Sequence, residues 1–113
     1  MSANDAALRQ VAARLLIGAD SDIAEDAWGR LLADASRRVR RATVDAMVDA
    51  GRTGLRPLLE RALGDADPWT RWKALRGLVE LGVEPSRGVV EPLSEDPDFR
   101  VRLETARALR GAS

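Results

Sequence analysis

A repeat with a period of 31 residues is the feature that most constrains how this chain can fold. An aspartate, an arginine and a large apolar residue each recur at this spacing. The three sets are Asp34, Asp65 and Asp96; Arg40, Arg71 and Arg102; and Met47, Leu78 and Leu109. Self-similarity at a fixed period between about 20 and 50 residues is typical of solenoids, in which each unit packs only against its neighbours. The sequence therefore predicts a repeat protein.

The residue types that are missing exclude several classes of site. The chain has 113 residues and contains neither cysteine nor histidine, so it has no thiol nucleophile, imidazole base, disulfide or Cys/His metal site. No carboxylates stand at EF-hand spacing, and no glycine-rich phosphate loop or activated Ser or Thr is evident. We therefore expect a protein that is not an enzyme and that uses no metal and no cofactor.

Charge and hydropathy limit the partners and the compartment. Eighteen basic and eighteen acidic residues give a formal net charge of zero, so any attraction to nucleic acid must come from a local patch. No basic leader is present, and no apolar run approaches the ~18 residues of a membrane span. We expect one domain over residues 1–113, cytoplasmic and without membrane contact.

Capping residues place the start of the second helix in each unit. Asp5, Ser36, Asp67 and Asp98 share one phase of the repeat, and all are residue types that favour the N-cap position. After Ser36 the positions predicted to face inward are Val39, Thr43, Ala46, Met47 and Ala50. Gly51 should end that helix as its C-cap.

Helical spacing also predicts the first two helices. Residues 5–17 place Leu8, Ala12, Leu15 and Leu16 on one face, which we expect to be buried. In the following helix, over residues 23–33, Trp28 shares its phase with apolar residues of later units and should fill the core. Because both ends of a solenoid lack a neighbour, we expect apolar surface there and self-association through the ends.

Proline and glycine mark the less regular helices. Pro57 falls in the first turn of a short helix over residues 55–64, and Pro68 opens the next helix directly after the Asp67 cap. Gly88 and Pro92 lower helix propensity over residues 87–94, where we expect a short or kinked helix.

Three segments resemble the HEAT repeat in its short, bilin-lyase-like form. They are LADASRRVRRATVDAMVDAG (32–51), LGDADPWTRWKALRGLVELG (63–82) and LSEDPDFRVRLETARALRGA (93–112). The resemblance implies an all-α fold, an α-solenoid of antiparallel helix pairs with about three and a half units, whose second helices line a concave side. Two positions depart from the pattern: Thr70 stands where Val is usual, and Ala3 stands in place of the turn aspartate. Folds of this kind host many activities, so the resemblance says little about function.

The recurring Asp and Arg predict a structural ladder. In each unit the Asp lies in the turn and the Arg follows six residues later, on the second helix. We expect each carboxylate to pair with an Arg of its own or the adjoining unit while it accepts backbone N–H groups at a helix start.

The side chains that remain on the second helices predict an interaction surface. At 100° per residue, the outward positions carry two tryptophans with arginines on both sides. The predicted partner-binding set is Trp69, Trp72, Arg38, Arg41, Arg76, Phe99, Arg100, Leu103 and Arg107. Val48 belongs to the outward positions as well. Exposed Trp and Arg are the residue types that dominate binding hot spots. In the structural alternative, Trp69 packs on the turn before it and Trp72 shields a neighbouring helix.

These features favour a non-enzymatic scaffold or adaptor that binds an acidic-hydrophobic segment of a protein partner. One alternative is a nucleic-acid-binding module, with the two indoles stacking on bases, related to HEAT-like DNA glycosylases. Another is an accessory subunit similar to bilin lyases. An engineered repeat also fits the regular period, although Gly88, Pro92 and Thr70 depart from it as natural divergence would.

Overall fold

The chain forms a stack of helices with no strand among the residues that its computed structural model describes, 5–111. The seven helices are α1 (Asp5–Leu15), α2 (Ser21–Leu31), α3 (Arg37–Ala50), α4 (Arg56–Ala62), α5 (Pro68–Leu81), α6 (Arg87–Val90) and α7 (Phe99–Gly111). Short 3₁₀ segments lie at Leu16–Gly18, Thr53–Leu55 and Glu91–Glu95. The predicted all-α fold is confirmed.

The helices form two layers with the core between them. Helices α1, α3, α5 and α7 pack against one another in succession, and α2, α4 and α6 cover them from one side. Each layer contributes large buried side chains to the core. They include Trp28, Leu55, Leu59 and Val90 from the covering layer, and Val44, Met47, Leu75, Leu78 and Val101 from the row of second helices. Each unit buries its apolar face against its neighbours, as the 31-residue period requires.

Three of the four predicted N-caps bond to the helix that they precede. The Ser36 hydroxyl accepts the Val39 N–H at 3.4 Å, and the Asp67 carboxylate accepts the Thr70 N–H at 3.2 Å. Asp98 accepts the Val101 N–H at 3.4 Å. The prediction for Asp5 was wrong, because this residue is already helical, in the first turn of α1.

Two glycines end the second helices, as the sequence predicts for Gly51. Gly51 and Gly82 follow α3 and α5 with φ of 62° and 69°, in the left-handed region that residues with a Cβ rarely adopt. The weak helix is also confirmed: α6 has four residues before the chain continues as the 3₁₀ segment Glu91–Glu95.

The interior of α1 differs from the prediction. Leu8 and Leu15 are 66% and 72% exposed, Ala12 is exposed as well, and the buried residue of this helix is Ala13. The periodicity identified an apolar face correctly but not its environment. In later units the same positions face the preceding unit, and no described residue covers them in α1.

Trp28 is a core residue, as predicted. Its side chain has no exposed surface, and its indole N–H donates to the carbonyl oxygen of Ala13 at 3.0 Å. A buried indole needs such a partner, because an unpaired N–H would lose its bonds to water without replacement. The bond also ties α2 to α1.

The Asp–Arg ladder runs along one edge of the stack and joins adjoining units. Arg9 Nε donates to Asp34 at 2.7 Å, Arg40 Nε to Asp65 at 2.9 Å and Arg71 Nε to Asp96 at 2.7 Å. Each Arg therefore pairs with the aspartate of the following unit, which is one of the two pairings that the sequence left open.

Each rung also holds the backbone of the turns. In the best-defined rung, Arg71 Nη1 donates to the carbonyl oxygens of Asp65 at 2.8 Å and Ala66 at 3.1 Å, within its own unit. The Asp96 carboxylate accepts the N–H of Asp98 at 2.9 Å in the next unit. Burial favours the neutral acid, but these hydrogen bonds outweigh it and lower the pKa of Asp96. Successive turns are thus fixed to one another.

Candidate protein-interaction face

The sequence-predicted site residues lie on α3, α5 and α7, three neighbouring helices in the row of second helices. We call this surface the Trp/Arg face; its members are Arg38 and Arg41 on α3, Trp69, Trp72 and Arg76 on α5, and Arg100, Leu103 and Arg107 on α7. The 31-residue period brings equivalent positions of the three helices side by side, so the face crosses the units instead of following one helix.

The two indoles at the centre of the face form a pair. The ring centroids of Trp69 and Trp72 are 6.3 Å apart and their planes are tilted by 57°, a favourable edge-to-face type of arrangement. Guanidinium groups lie over both rings: Arg41 is 5.5 Å from the centroid of Trp69, and Arg76 and Arg100 are 5.7 and 5.9 Å from that of Trp72. Cation–π contacts of this kind contribute about 0.5–1 kcal/mol each at exposed sites.

Neither indole is fully open to solvent, which corrects the expectation that both project freely. Trp69 and Trp72 are half-buried, and Trp72 packs against the hydrophobic core while Trp69 does not. The structural alternative therefore applies in part to Trp72. Of the two indoles, Trp69 is therefore the one whose exposed surface the fold explains less.

Arg41 is held by a buried carboxylate beneath the face. Its Nε and Nη2 donate to the two oxygens of Asp67 at 2.7 and 2.9 Å, and the Asp67 side chain is only 2% exposed. The Thr70 hydroxyl donates to the same carboxylate at 2.8 Å, which gives a physical reason for Thr at this position. The bonds from Arg41, followed by those from Thr70, lower the pKa of Asp67 against the opposing effect of burial.

The other arginines of the face make longer or more exposed ion pairs. Arg76 and Arg107 approach Glu104 at 3.8 and 3.6 Å, and Arg100 approaches Asp98 at 3.7 Å. Arg76 also pairs with the exposed Glu80 at 3.1 Å, whereas Arg38 is exposed and makes no ion pair within residues 5–111. Glu104 itself is buried, with its side chain 4% exposed, whereas that of Glu80 is 53% exposed. An exposed pair such as Arg76–Glu80 contributes little stability and is readily exchanged.

The structure does not bring all the predicted apolar residues together. Leu103 is 44% exposed on the face, at the position of α7 that corresponds to Trp72. The Phe99 ring instead lies against Arg102 at 5.8 Å, and in the described part of the chain it forms no ring contact with either indole. Val48, expected to point outward, packs against the core and Gly77.

A family model described as HEAT repeats matches residues 25–110. The chain belongs to the HEAT repeat family. No curated protein matches the chain. Family membership confirms the resemblance drawn from the three segments.

A shallow depression beside Trp69 extends the face of this HEAT repeat toward α1. It is lined by Gln10, Arg38, Arg41, Ala42, Asp45 and Trp69. Gln10 and Ala42 were not among the predicted site residues, although Gln10 lies one period before Arg41 and Ala42 directly follows it. Asp45 is shared by Arg14 at 2.9 Å and Lys73 at 3.7 Å, so acidic as well as basic groups border the depression.

Across residues 5–111 no three acidic side chains are grouped so that they could hold a metal ion. Over the same range, every helix is too short or too polar to cross a membrane. The features that stand out in this HEAT repeat chain are the Trp/Arg face and the two ends of the stack.

Proposed function

We propose that this HEAT repeat protein is a non-enzymatic scaffold or adaptor whose Trp/Arg face binds an acidic-hydrophobic segment of a protein partner. HEAT repeats are commonly protein-interaction scaffolds. The observation that carries the proposal is the pair of half-exposed indoles, 6.3 Å apart, with a guanidinium group over each. Large aromatic side chains beside arginines, at the centre of a surface, are typical of interface hot spots.

The charges around the indoles favour an acidic partner. Arg38 has no acidic partner within residues 5–111, and the contacts of Arg100 and Arg107 with carboxylates are 3.6 Å or longer. A carboxylate of a bound peptide can therefore take these guanidinium groups without breaking a short buried pair. The apolar part of the segment would cover Trp69 and Leu103, which is 44% exposed.

The same charges argue against nucleic acid as the main ligand. Arg41 is committed to Asp67 in a short two-pronged ion pair, and Arg76 is paired with Glu80 and near Glu104. A phosphate backbone would also approach Asp45 and Glu80 on the same surface. Phosphate recognition instead requires a groove in which cations are in excess.

Selection of displayed random peptides on the full-length chain tests the proposal. We expect the selected peptides to combine Asp or Glu with Leu, Phe or Trp, and to lose about tenfold or more affinity for Trp69→Ala. Ile23→Ala is the matched control, because Ile23 is 59% exposed on α2 in the other layer. Trp69→Ala is preferred to the double substitution because Trp72 also packs against the core.

Tryptophan fluorescence provides a second measurement on the same complexes. Trp28 is fully buried, so quenching by acrylamide reports on Trp69 and Trp72, and a bound peptide should reduce it. Affinity should fall only slightly as salt rises. Peptides that bind Trp69→Ala as tightly as the unchanged chain would contradict the proposal, and tight binding of a single-stranded oligonucleotide with a steep salt dependence would favour the nucleic-acid alternative.

A further inference from the structure

The last rung of the ladder lacks its carboxylate. Arg102 Nη1 donates to the carbonyl oxygens of Asp96 at 2.7 Å and Pro97 at 3.1 Å, just as Arg71 bonds the turn of its own unit. Nε and Nη2 of Arg71 reach the Asp96 carboxylate at 2.7 and 3.0 Å. Among the described residues no carboxylate takes the corresponding groups of Arg102. The Arg102 guanidinium is therefore held in place by the turn of its own unit, while its Nε and Nη2 groups have no carboxylate partner among the described residues.

Interior units show what this edge is shaped to meet. Around Arg71, the next unit supplies the Asp96 turn and helix α7, and both Leu75 and Leu78 are completely buried. One period later the same positions are Ala106, which is exposed, and Leu109, which is half-buried. The last unit thus presents a guanidinium beside uncovered apolar surface.

Phe99 adds to this edge and not to the indole pair. Its ring is 66% exposed and lies 5.8 Å from the Arg102 guanidinium. An exposed phenylalanine against a guanidinium extends the apolar surface and limits the directions that the Arg side chain can take. We call the surface of Phe99, Arg102, Ala106 and Leu109 the α7 edge.

We propose that the α7 edge binds a helix of another protein whose preceding turn carries an aspartate two residues before the N-cap, as Asp96 precedes Asp98 and α7. The aspartate would accept hydrogen bonds from Nε and Nη2 of Arg102, in the two-pronged geometry of the Arg71–Asp96 pair. The apolar side of its helix would cover Ala106 and Leu109. This second binding surface does not depend on the function proposed for the Trp/Arg face.

A second copy of this chain does not fit the edge in the register of the interior units. One period before Asp34 the sequence has Ala3, which cannot supply the rung carboxylate. Leu15 also stands where the next units carry Ala46, Gly77 and Ala108. That position is crowded inside the stack, since a Cβ on Gly77 would lie 2.6 Å from Val48 Cγ2. A leucine there would obstruct the close approach of a preceding unit, which disfavours a second copy in this register.

A synthetic peptide of residues 93–113 serves as the probe, because this segment covers the equivalent edge around Arg71. It is titrated into the isotope-labelled full-length chain while the Arg Nε–H resonances are followed by NMR. We expect the Arg102 signal to shift. Binding should weaken by about tenfold or more when the peptide carries Asp96→Asn, which removes the carboxylate, or when the chain carries Arg102→Lys. The control Arg87→Ala, at an exposed ion pair with Glu91, should not change it.

Four outcomes would overturn the proposal. A peptide with Asn that binds as well as the one with Asp would show that no carboxylate is recognised. A shift at Arg71 instead of Arg102 would mean that the peptide only replaces α7. The absence of any Arg102 shift up to millimolar peptide would mean that the edge binds no such helix. Self-association of the chain that Arg102→Ala abolishes would mean that the partner is a second copy.

Discussion

The ladder edge and the Trp/Arg face use the same residue types on the same helices but with different geometry. Along the ladder, Nε of Arg71 is 2.7 Å from Asp96, and the two side chains are 13% and 5% exposed. On the face, Nε of Arg76 is 3.1 Å from Glu80, and the two side chains are 43% and 53% exposed. The buried Glu104 lies farther from Arg76, at 3.8 Å. Arg41 is the exception on the face, because it pairs with Asp67 at 2.7 Å.

The difference shows that burial and additional hydrogen bonds, not the type of ion pair, decide what an arginine does in this stack. A ladder carboxylate accepts backbone N–H groups as well as a guanidinium, so removing one partner leaves a buried charge without compensation. An exposed pair returns to water when it is broken, at little cost in free energy. The ladder therefore stabilises the stack, whereas most arginines of the face hold no short buried ion pair.

The largest effect is expected from removing a rung. Arg71→Ala should lower the free energy of unfolding by about 1–3 kcal/mol more than Arg76→Ala, because Asp96 loses its ion pair while it stays buried. Arg76 is the matched control on the same helix, and Glu104 keeps Arg107 nearby when Arg76 is removed. Urea unfolding followed by circular dichroism measures both variants, and equal midpoints would show that the ladder and the face do not differ.

A second substitution tests the close packing between the units that the ladder joins. Gly77→Ala should destabilise the protein by about 1–2 kcal/mol although alanine favours helix, because its Cβ would lie 2.6 Å from Cγ2 of the stiff Val48 side chain. The control is Gly88→Ala in α6, where a Cβ would meet no atom within 4 Å. That variant should be neutral or slightly more stable. Thermal unfolding measures the stability of both variants. If Gly77→Ala were as stable as the unchanged chain, the two units could separate slightly without loss of stability.

Acid should weaken the ladder in a defined direction. The pKa of Asp96 is lowered, since hydrogen bonds from Arg71 and the Asp98 N–H outweigh the effect of burial, and that of Asp34 is lowered by its bonds from Arg9. Groups with a lowered pKa contribute stability above their unfolded value, near 3.8, and the contribution is lost as the pH falls through the lower folded value.

The measurement is the free energy of unfolding between pH 6 and pH 2. It should be nearly constant down to about pH 5 and then decrease, since the unfolded chain takes up protons first. Asp96→Asn should lower stability at neutral pH but flatten the acid limb of the curve. A variant with an unchanged acid limb would mean that the Asp96 carboxylate is not what the ladder loses in acid.

Much of the architecture could be predicted from the sequence because it repeats. The 31-residue spacing predicted the ladder residues and the caps Ser36, Asp67 and Asp98, and the low helix propensity of Gly88 and Pro92 predicted the short α6. These features depend on local spacing and on a neighbour that has the same sequence pattern. The sequence could not predict which Arg each ladder aspartate pairs with, because each has two candidates at equivalent positions of the repeat. Asp34 is twenty-five residues after Arg9 and six before Arg40, and Asp65 is twenty-five after Arg40 and six before Arg71.

The features that were not predicted depend on which residues cover a surface, and sequence periodicity carries no information about that. Leu8 and Leu15 have the spacing of a buried face, but no described residue packs over them. Phe99 lies on the side of Arg102, three residues before it in α7, although its apolar character suggested a place beside Leu103 and the indoles. Trp72 was placed on the correct face, but its contact with the core depends on the neighbouring side chains.

Salt gives the smallest expected effect and separates the two kinds of pair most directly. Raising the salt concentration from 0.05 to 1 M shortens the screening length to about 3 Å, which removes most of the attraction between exposed charges but little of that in buried, hydrogen-bonded pairs. The stability difference between the unchanged chain and Arg76→Ala should therefore shrink by up to about 0.5 kcal/mol, toward zero. The difference for Arg71→Ala should keep more than half of its low-salt value, since the Asp96 side chain is only 5% exposed. If both differences fell in the same proportion, the ladder pairs would be as open to solvent as those of the face, and the contrast between the two regions would have to be explained by packing alone.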